Sequence, residues 1–425
     1  MSSSTRLHST SLPGSMTHND PLDGYNEDET YRDLPLAALP IAIDLEEDII
    51  GILHYLPSDL VESIIDLVSD RETLKACTLV CRAWVPRSRK HLLDMSLVRM
   101  DRVKAESFIH LSTSPHFSLK RIPNLHLSFR GESSRMASQV VPILSHHQVW
   151  VESLTVVADT FSSGSCKESL GLISAMWKMS VTELEIQNYL CDNLRDVLPF
   201  VHSFGCLEAF RLTGTFRGRV SARKLPSRLK KFTFSNSHSH PYSRGTEEVL
   251  HWLTSPKDGV PPRLLELNLK GLGGSGGLSE LRKLLEVPTS RALQDLTLSS
   301  ITFTHDDLIP DLQNLHSLRR FSIAPRITPQ ITDTLYFLLK MIMSVSSHLL
   351  KQVELSIPGI PLEYLHEPPF RSLDDAFQES PALLGVNTFT IQSSQTVVML
   401  LRHWLVRCQD RGIVEFVVTP SSFIR

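Results

Sequence analysis

The sequence has few cysteines, almost no net charge and no long apolar segment. Six cysteines scattered over 425 residues do not make a disulfide framework, so we expect free thiols in a reducing compartment, cytoplasmic or nuclear. A formal net charge of -3 argues against a dedicated nucleic-acid binder. The most apolar run, around residues 335–345, is short and interrupted by Lys340, and the polar amino terminus lacks the apolar centre of a secretory signal. We therefore expect no membrane partner.

The chain is long enough for more than one domain, and its composition changes along its length. Residues 1–45 are rich in Ser, Asp and Glu, with an acidic run between Asp20 and Glu29. This composition predicts a disordered arm, because little apolar surface is present to pack. We expect a helical segment at residues 46–98 and a repeat region at residues 99–425.

Residues 56–93 predict two or three short helices crowded with apolar side chains. Asp59 and Glu62 are spaced as the capping pair of the first helix. Its apolar residues at helical spacing are Pro57, Leu60, Ile64, Ile65 and Val68. A second helix is expected after Asp70, with an apolar stripe formed by Leu74, Cys77, Val80, Cys81 and Trp84. About forty residues cannot bury this much apolar surface on themselves, so the rest of the chain or another protein must cover some of it.

These residues also resemble the F-box, a helical docking motif, and the run from residue 74 to 84 is especially similar to fungal F-box proteins. The matching positions are Leu56, Pro57, Leu60, Ile64, Ile65, Leu79, Val80, Cys81 and Trp84, followed by Arg87, Arg89 and Lys90. The resemblance implies docking onto a Skp-family adaptor, and through it onto a cullin. By motif position, the docking residues are Leu56, Pro57, Leu60, Ile64, Leu79, Val80 and Trp84.

From about residue 119, strand-like pairs of apolar residues recur at intervals of roughly 22 to 36 residues, within or near the range of solenoid units. The pairs are Leu125/Leu127, Leu154/Val156, Leu184/Ile186, Phe210/Leu212, Phe232/Phe234, Leu267/Leu269, Leu296/Leu298, Phe321/Ile323, Val353/Leu355, Phe389/Ile391 and Val414/Phe416. A Leu or similar residue precedes each pair by about three positions. The L-x-x-L-x-L pattern resembles the leucine-rich repeat, although most units lack that family's Asn.

The repeat resemblance implies an α/β fold in which alternate apolar side chains point inward from a curved parallel sheet. We expect a short helical F-box followed by an irregular leucine-rich-repeat-like solenoid. Helices are expected between strands, for example at residues 279–285 and 332–345. The alternative is an ordinary doubly wound sheet, which rarely needs ten or more strands.

A glycine tract at residues 271–277 has the G-x-G-x-x-G spacing of a dinucleotide site and also satisfies G-x-S-x-G. The next strand ends in Ser299 and Ser300 rather than the acid that holds a ribose. We therefore expect a flexible loop, with nucleotide binding as the alternative.

Candidate metal and acid-base groups are sparse. The pairs considered are Cys77/Cys81, His146/His147, His238/His240 and Asp306/Asp307. None comes with the further ligands, at zinc-site spacing, that a metal site needs. We predict that the cysteines are core residues, that the histidines lie in solvated loops and that the aspartates cap a helix. We expect no enzyme, no cofactor and no metal.

A run of basic residues contains no acid: Arg217, Arg219, Arg223, Lys224, Arg228, Lys230 and Lys231. One interpretation is recognition of an acidic or phosphorylated segment of a target, because Arg clusters bind carboxylate and phosphate through paired hydrogen bonds. The other is a solvated basic face or a nuclear import signal.

Together the two resemblances imply a substrate-recognition adaptor of a Skp-cullin-F-box ubiquitin ligase, with an unknown protein target held by the solenoid. A first rival is a non-catalytic repeat scaffold or inhibitor whose helices only cap the solenoid. A second is a nucleotide-dependent enzyme that uses the glycine tract.

Overall fold

The computed structural model of this chain describes residues 57–80, 82–95, 97–100, 102–113, 120–159, 161, 164–188, 192–217, 225–236, 245–254, 262–302, 309–326, 331–357 and 360–419. Nearly all of them belong to one compact unit, Asp59–Arg425. The predicted arm at residues 1–45 lies outside the described residues.

Fourteen α-helices occur in the described ranges, and two short 3-10 helices accompany them at Pro288–Ala292 and Leu362–Tyr364. The α-helices are Ser58–Asp66 (α1), Arg71–Val80 (α2), Val85–Met95 (α3), Arg102–Ser112 (α4), Gly131–His146 (α5), Gly164–Trp177 (α6), Leu194–His202 (α7), Gly245–Thr254 (α8), Gly274–Glu286 (α9), Ile331–Met343 (α10), Glu367–Glu379 (α11), Pro381–Leu384 (α12), Gln395–Trp404 (α13) and Val406–Asp410 (α14). None of these helices is both long and apolar enough to cross a bilayer.

The strands alternate with these helices along most of the chain. They are Leu97–Met100 (β1), Arg121–Phe129 (β2), Trp150–Ala158 (β3), Glu183–Asn188 (β4), Asp192–Asn193 (β5), Ala209–Thr213 (β6), Phe216–Arg217 (β7), Lys231–Ser235 (β8), Glu266–Lys270 (β9), Asp295–Ile301 (β10), Arg320–Pro325 (β11), Gln352–Ser356 (β12), Thr388–Ser393 (β13) and Val414–Val418 (β14). The short β5 and β7 pair with each other, and the other twelve form one parallel sheet in which spatial order follows chain order.

All eleven predicted apolar pairs lie in strands of this sheet and stand in register. The first members form one row across the sheet, from Leu125 in β2 to Val414 in β14, and the second members form another. The structure adds β1, where Val98 and Met100 pair with Leu125 and Leu127 and extend both rows. The strand prediction is confirmed and was one strand short.

Alternation explains why the sheet has one apolar face. Residues at every second position are buried against the connecting helices, while most of those between them are polar and at least partly accessible, as in β8 and β9. One continuous apolar cluster runs from Met100 to Ile413. A parallel sheet with strands in chain order and one apolar face is α/β and consistent with a solenoid, in which each unit packs on its neighbours.

The two helices expected between strands are present as α9, which is longer than expected at both ends, and α10, which begins one residue earlier and ends two residues earlier than expected. The loop expected at residues 271–277 is partly wrong, because α9 begins at Gly274 and takes up the second half of the tract. Asp59 is also not a cap of the first helix, since α1 begins at Ser58 and places Asp59 in its first turn. The second helix does begin after Asp70, as expected.

Candidate functional site

Helix α1 carries two neighbouring apolar faces, and only one of them is buried. Val61 and Ile65 lie in the core, with Ile65 fully covered. One position earlier in each case, Leu60 and Ile64 are 52% and 43% exposed. Adjacent residues of an α-helix point about 100° apart, so the two pairs occupy different sides of the helix. The exposed face therefore has no partner in the described part of the chain.

Helix α2 repeats this division. Leu74 and Cys77 are buried, whereas Leu79 is 86% exposed and Val80 46%. Asp70 fixes the start of the helix, because its Oδ2 accepts hydrogen bonds from the Thr73 amide and hydroxyl at 2.7 Å each. These bonds stabilise the carboxylate and lower the pKa of Asp70. The exposed end of α2 is thus held by a capped, partly buried helix.

A polar cluster joins α1 to α3. Asp66 Oδ1 lies 2.6 Å from Arg87 Nε and 2.6 Å from His91 Nε2, and Glu62 Oε2 lies 3.6 Å from Arg87 Nη1. The hydrogen bonds from Arg87, and then that from His91, hold the pKa of the Asp66 carboxyl well below its usual range. These charged side chains are therefore satisfied within the helical unit, while the exposed apolar ones described above are not.

We call the exposed apolar residues of α1, α2 and the turn after α1 the docking surface; they are Leu60, Ile64, Leu67, Leu79 and Val80. Four of them are docking residues predicted from the F-box resemblance. Of the other three, Pro57 is exposed, Trp84 is half-buried beside α3, and Leu56 lies outside the described residues. Large exposed apolar side chains on neighbouring helices are candidates for contact with a partner.

Leu67 belongs to the docking surface although it was absent from the predicted docking residues. It is 85% exposed in the turn that ends α1. Its spacing of seven residues from Leu60 places it on the same side of the helix, two turns further on. That spacing is visible in the sequence and could have identified it.

Two of the four described residues of the predicted basic patch are neutralised by carboxylates. Lys230 Nζ lies 2.8 Å from Glu208, and Lys231 Nζ lies 2.7 Å from Glu266, which raises the pKa of Lys231. Arg228 is exposed. Arg217 lies in β7, and Arg219, Arg223 and Lys224 fall outside the described residues. The sequence run contained no acid, but neighbouring strands supply two.

The glycine tract forms a strand-turn-helix connection, and its helix end lies against a carboxylate of this chain. A Cβ at Gly276 would lie 2.5 Å from Glu247 Oε2 of α8. A helix amino terminus binds anions through its free amides, and here a carboxylate already lies beside the first turn. Gly271 has a φ of +83° and lies against Asn236, so glycine is required there for the turn. The tract therefore has a packing explanation.

Within the described ranges, no three His, Cys, Asp or Glu side chains are arranged to hold a metal ion. Cys77, Cys166 and Cys408 are buried, and burial raises the pKa of the Cys408 thiol. His146 and His147 contact each other edge to face. Cys81, His238, His240, Asp306 and Asp307 lie outside the described residues.

The polar face of the sheet is crossed by pairs of opposite charges. Arg211 lies 3.6 Å from Glu185 across neighbouring strands, and a depression of about 310 Å³ opens beside them. A second depression, of about 300 Å³, lies between Trp150 and Met179 at the start of β3 and the turn before β4. Neither depression contains any of the residues singled out in the sequence as an acid, base or nucleophile.

Models of known protein families give no match to this chain, and neither do curated proteins. What the chain does must therefore be argued from its own residues and geometry.

Proposed function

We propose that this chain is a substrate-recognition adaptor of a Skp-cullin-F-box ubiquitin ligase. Helices α1–α3 bind a Skp-family adaptor, and through it a cullin, with the docking surface. The sheet and its helices form an irregular leucine-rich-repeat-like solenoid that holds the target protein. Transfer of ubiquitin belongs to a conjugating enzyme, so this chain contributes proximity and selection.

The observation that carries the proposal is the exposure of the motif residues. An F-box needs apolar side chains at particular positions that are free to enter a partner. Here Leu60, Ile64 and Leu79 are exposed, whereas apolar residues outside those positions on the same helices, such as Val61 and Leu74, are buried. Apolar side chains at these outer positions add little to the stability of the helical unit itself, so contact with a partner is what gives them a role.

The rival in which the helices only cap the repeats has one observation in its favour. Helix α3 contacts β2, and β1 begins at Leu97 directly after this helix. The helices therefore cover one end of the sheet, as terminal repeats must be covered. This contact uses α3 and leaves the docking surface of α1 and α2 uncovered, so it does not explain why those residues are apolar.

The experiment is direct binding of the full chain to a purified fungal Skp-family adaptor by calorimetry. We expect a 1:1 complex, and Leu79→Glu should weaken it by more than about 2 kcal/mol, roughly thirtyfold in Kd, because it places a charge in an apolar contact. The matched control is Met399→Glu, which alters an exposed apolar side chain of α13 far along the chain. No complex, or equal affinity of Leu79→Glu and the parent, would favour the scaffold rival.

A further inference from the structure

All twelve strands of the parallel sheet begin at the same edge, so the residues just before each strand lie along one line. Backbone hydrogen bonds join these positions in turn: the Lys351 amide donates to Arg319 O at 2.8 Å, Arg319 to Gln294 O at 2.7 Å, and Gln294 to Leu265 O at 2.8 Å. Neighbouring strands are about 4.8 Å apart. Residues distant in sequence are thereby placed side by side at this amino-terminal edge.

Exposed cations lie on or close to this edge in four consecutive repeats. Arg319 and Lys351 directly precede β11 and β12, whereas Arg263 and Arg291 lie three and four residues before β9 and β10, where Leu265 and Gln294 occupy the equivalent positions. We call these four residues the basic edge. In the part of the chain that the structure describes, none of them lies in an ion pair. Lys351 Nζ reaches only the Gly385 carbonyl, at 3.4 Å.

The nearby carboxylates are already engaged. Glu266 pairs with Lys231 at 2.7 Å, Glu286 with Arg282 at 2.7 Å, and Asp295 faces Arg320 at 3.9 Å. Asp311 accepts a hydrogen bond from the Gln313 amide at 2.9 Å. The basic edge therefore stays positive over four repeats, in a chain whose net charge is negative. Such a group of like charges attracts a complementary anion.

We propose that the basic edge binds an acidic peptide segment of a target protein, one in which Asp or Glu recurs along an extended chain. Arg319 and Lys351 are one strand spacing apart, about 4.8 Å, and Arg291 and Arg263 lie in the turns of the two preceding repeats. Carboxylates that recur along a peptide can therefore pair with several of these cations through charge-assisted hydrogen bonds. The proposal deepens the proposed function by naming the class of target segment, and it rests on that function only for its biological role.

A nucleic-acid duplex is the other polyanion to consider, and the net charge of -3 argues against it. A peptide is therefore the better match to the basic edge.

The test uses the full chain and fluorescence anisotropy of a labelled peptide of about ten residues in which Glu and Ser alternate, with a Gln/Ser peptide as reference. We expect the Glu/Ser peptide to bind, more weakly as salt rises. The double variant Arg319→Glu with Lys351→Glu should lose at least about tenfold in affinity, because like charges then face the peptide. The control, Lys167→Glu with Lys270→Glu, has the same net charge, alters exposed cations elsewhere and should stay within about twofold.

Three results would overturn the proposal: no binding of the Glu/Ser peptide, equal losses in both double variants, or tighter binding of a labelled DNA duplex that the same Arg319→Glu, Lys351→Glu variant abolishes. Circular dichroism establishes that each variant is folded. Leu79→Glu, which should lose the Skp-family adaptor, should keep peptide binding, so failure of this inference is distinguishable from failure of the proposed function.

Discussion

The helical unit α1–α3 and the repeat sheet differ in how far their apolar side chains are buried. In the sheet, the apolar rows are buried from β2 to β13 and the residues between them are mostly polar. In the helical unit, apolar residues occupy two sides of α1, and one of those sides faces solvent. The repeats bury their apolar side chains against one another, whereas the helical unit leaves some of its apolar side chains exposed to solvent.

The polar residues show the reverse contrast. In the helical unit, Arg87 and His91 both bind Asp66. On the sheet, several charges pair across strands, but the basic edge does not. The unsatisfied side chains that set the two regions apart are therefore apolar in the helices and cationic at the sheet edge. This division agrees with two kinds of partner, one bound by apolar burial and one by charge.

The largest effect is expected in the buried rows of the sheet. Phe232 is almost completely buried and packs against Phe210 and Trp252, with ring centroids 5.8 and 6.3 Å away. Phe232→Ala should lower the free energy of unfolding by about 3–5 kcal/mol, because it removes buried surface and leaves a cavity. Denaturant unfolding measures the loss, with Thr233→Ala on the polar side of β8 as control. Similar small losses in both variants would contradict the one-sided sheet.

A sharper comparison lies within α1, where two adjacent isoleucines should behave oppositely. Ile65→Ala should lower the free energy of unfolding by about 2–4 kcal/mol, because Ile65 is fully buried. Ile64→Ala should change it by less than about 0.5 kcal/mol, since an exposed side chain forgoes little burial.

The same pair separates folding from binding. We expect Ile64→Ala to weaken the Skp-family adaptor complex while leaving thermal unfolding unchanged, and denaturation curves with calorimetry on the same samples measure both. If Ile64→Ala destabilised the chain as much as Ile65→Ala, the exposed side of α1 would be part of the core, and the docking surface would be smaller than described.

Much of the sheet could be predicted from sequence because its signal is local. Alternation along a strand decides which residues are buried, and the L-x-x-L-x-L spacing repeats that decision in each unit. β1 was missed because Val98 and Met100 precede the first complete unit and lack its leading Leu. The helix start at Gly274 was missed because glycines argue against a helix, and packing against Glu247 offsets that preference.

The site was harder to predict, for two physical reasons. Ile64 and Ile65 are identical in type and adjacent, so composition cannot say which one faces the core; only the F-box resemblance separated their roles. The sequence predicted a basic patch from cations that are close together along the chain. In the fold, ion pairs form between residues of different strands, so closeness in sequence did not identify the free cations. Lys230 and Lys231 find acids on adjacent strands, while Arg319 and Lys351 come together from different repeats.

The smallest effect concerns the polar cluster that holds α1 to α3. The pKa of Asp66 is lowered from its ordinary value of 3.8 by hydrogen bonds from Arg87 and His91. A carboxyl whose pKa falls on folding contributes stability above its unfolded value and loses it as the pH drops towards its folded value. Asp66→Asn should therefore lower the thermal unfolding temperature of α1–α3 at pH 7, and the difference from the parent should shrink below about pH 3.8.

Thermal unfolding followed by circular dichroism between pH 7 and pH 2 measures this, with Glu363→Gln as the control because Glu363 is exposed and lies outside the helical unit. If the difference in unfolding temperature between Asp66→Asn and the parent persisted unchanged in acid, the contribution of Asp66 would not depend on its charge. A difference that vanished would show that charge pairing, and not only apolar burial, keeps the docking surface in place, because Asp66 and Leu60 lie on the same short helix. The helical unit would then depend on pH in a way that the stacked rows of the sheet do not.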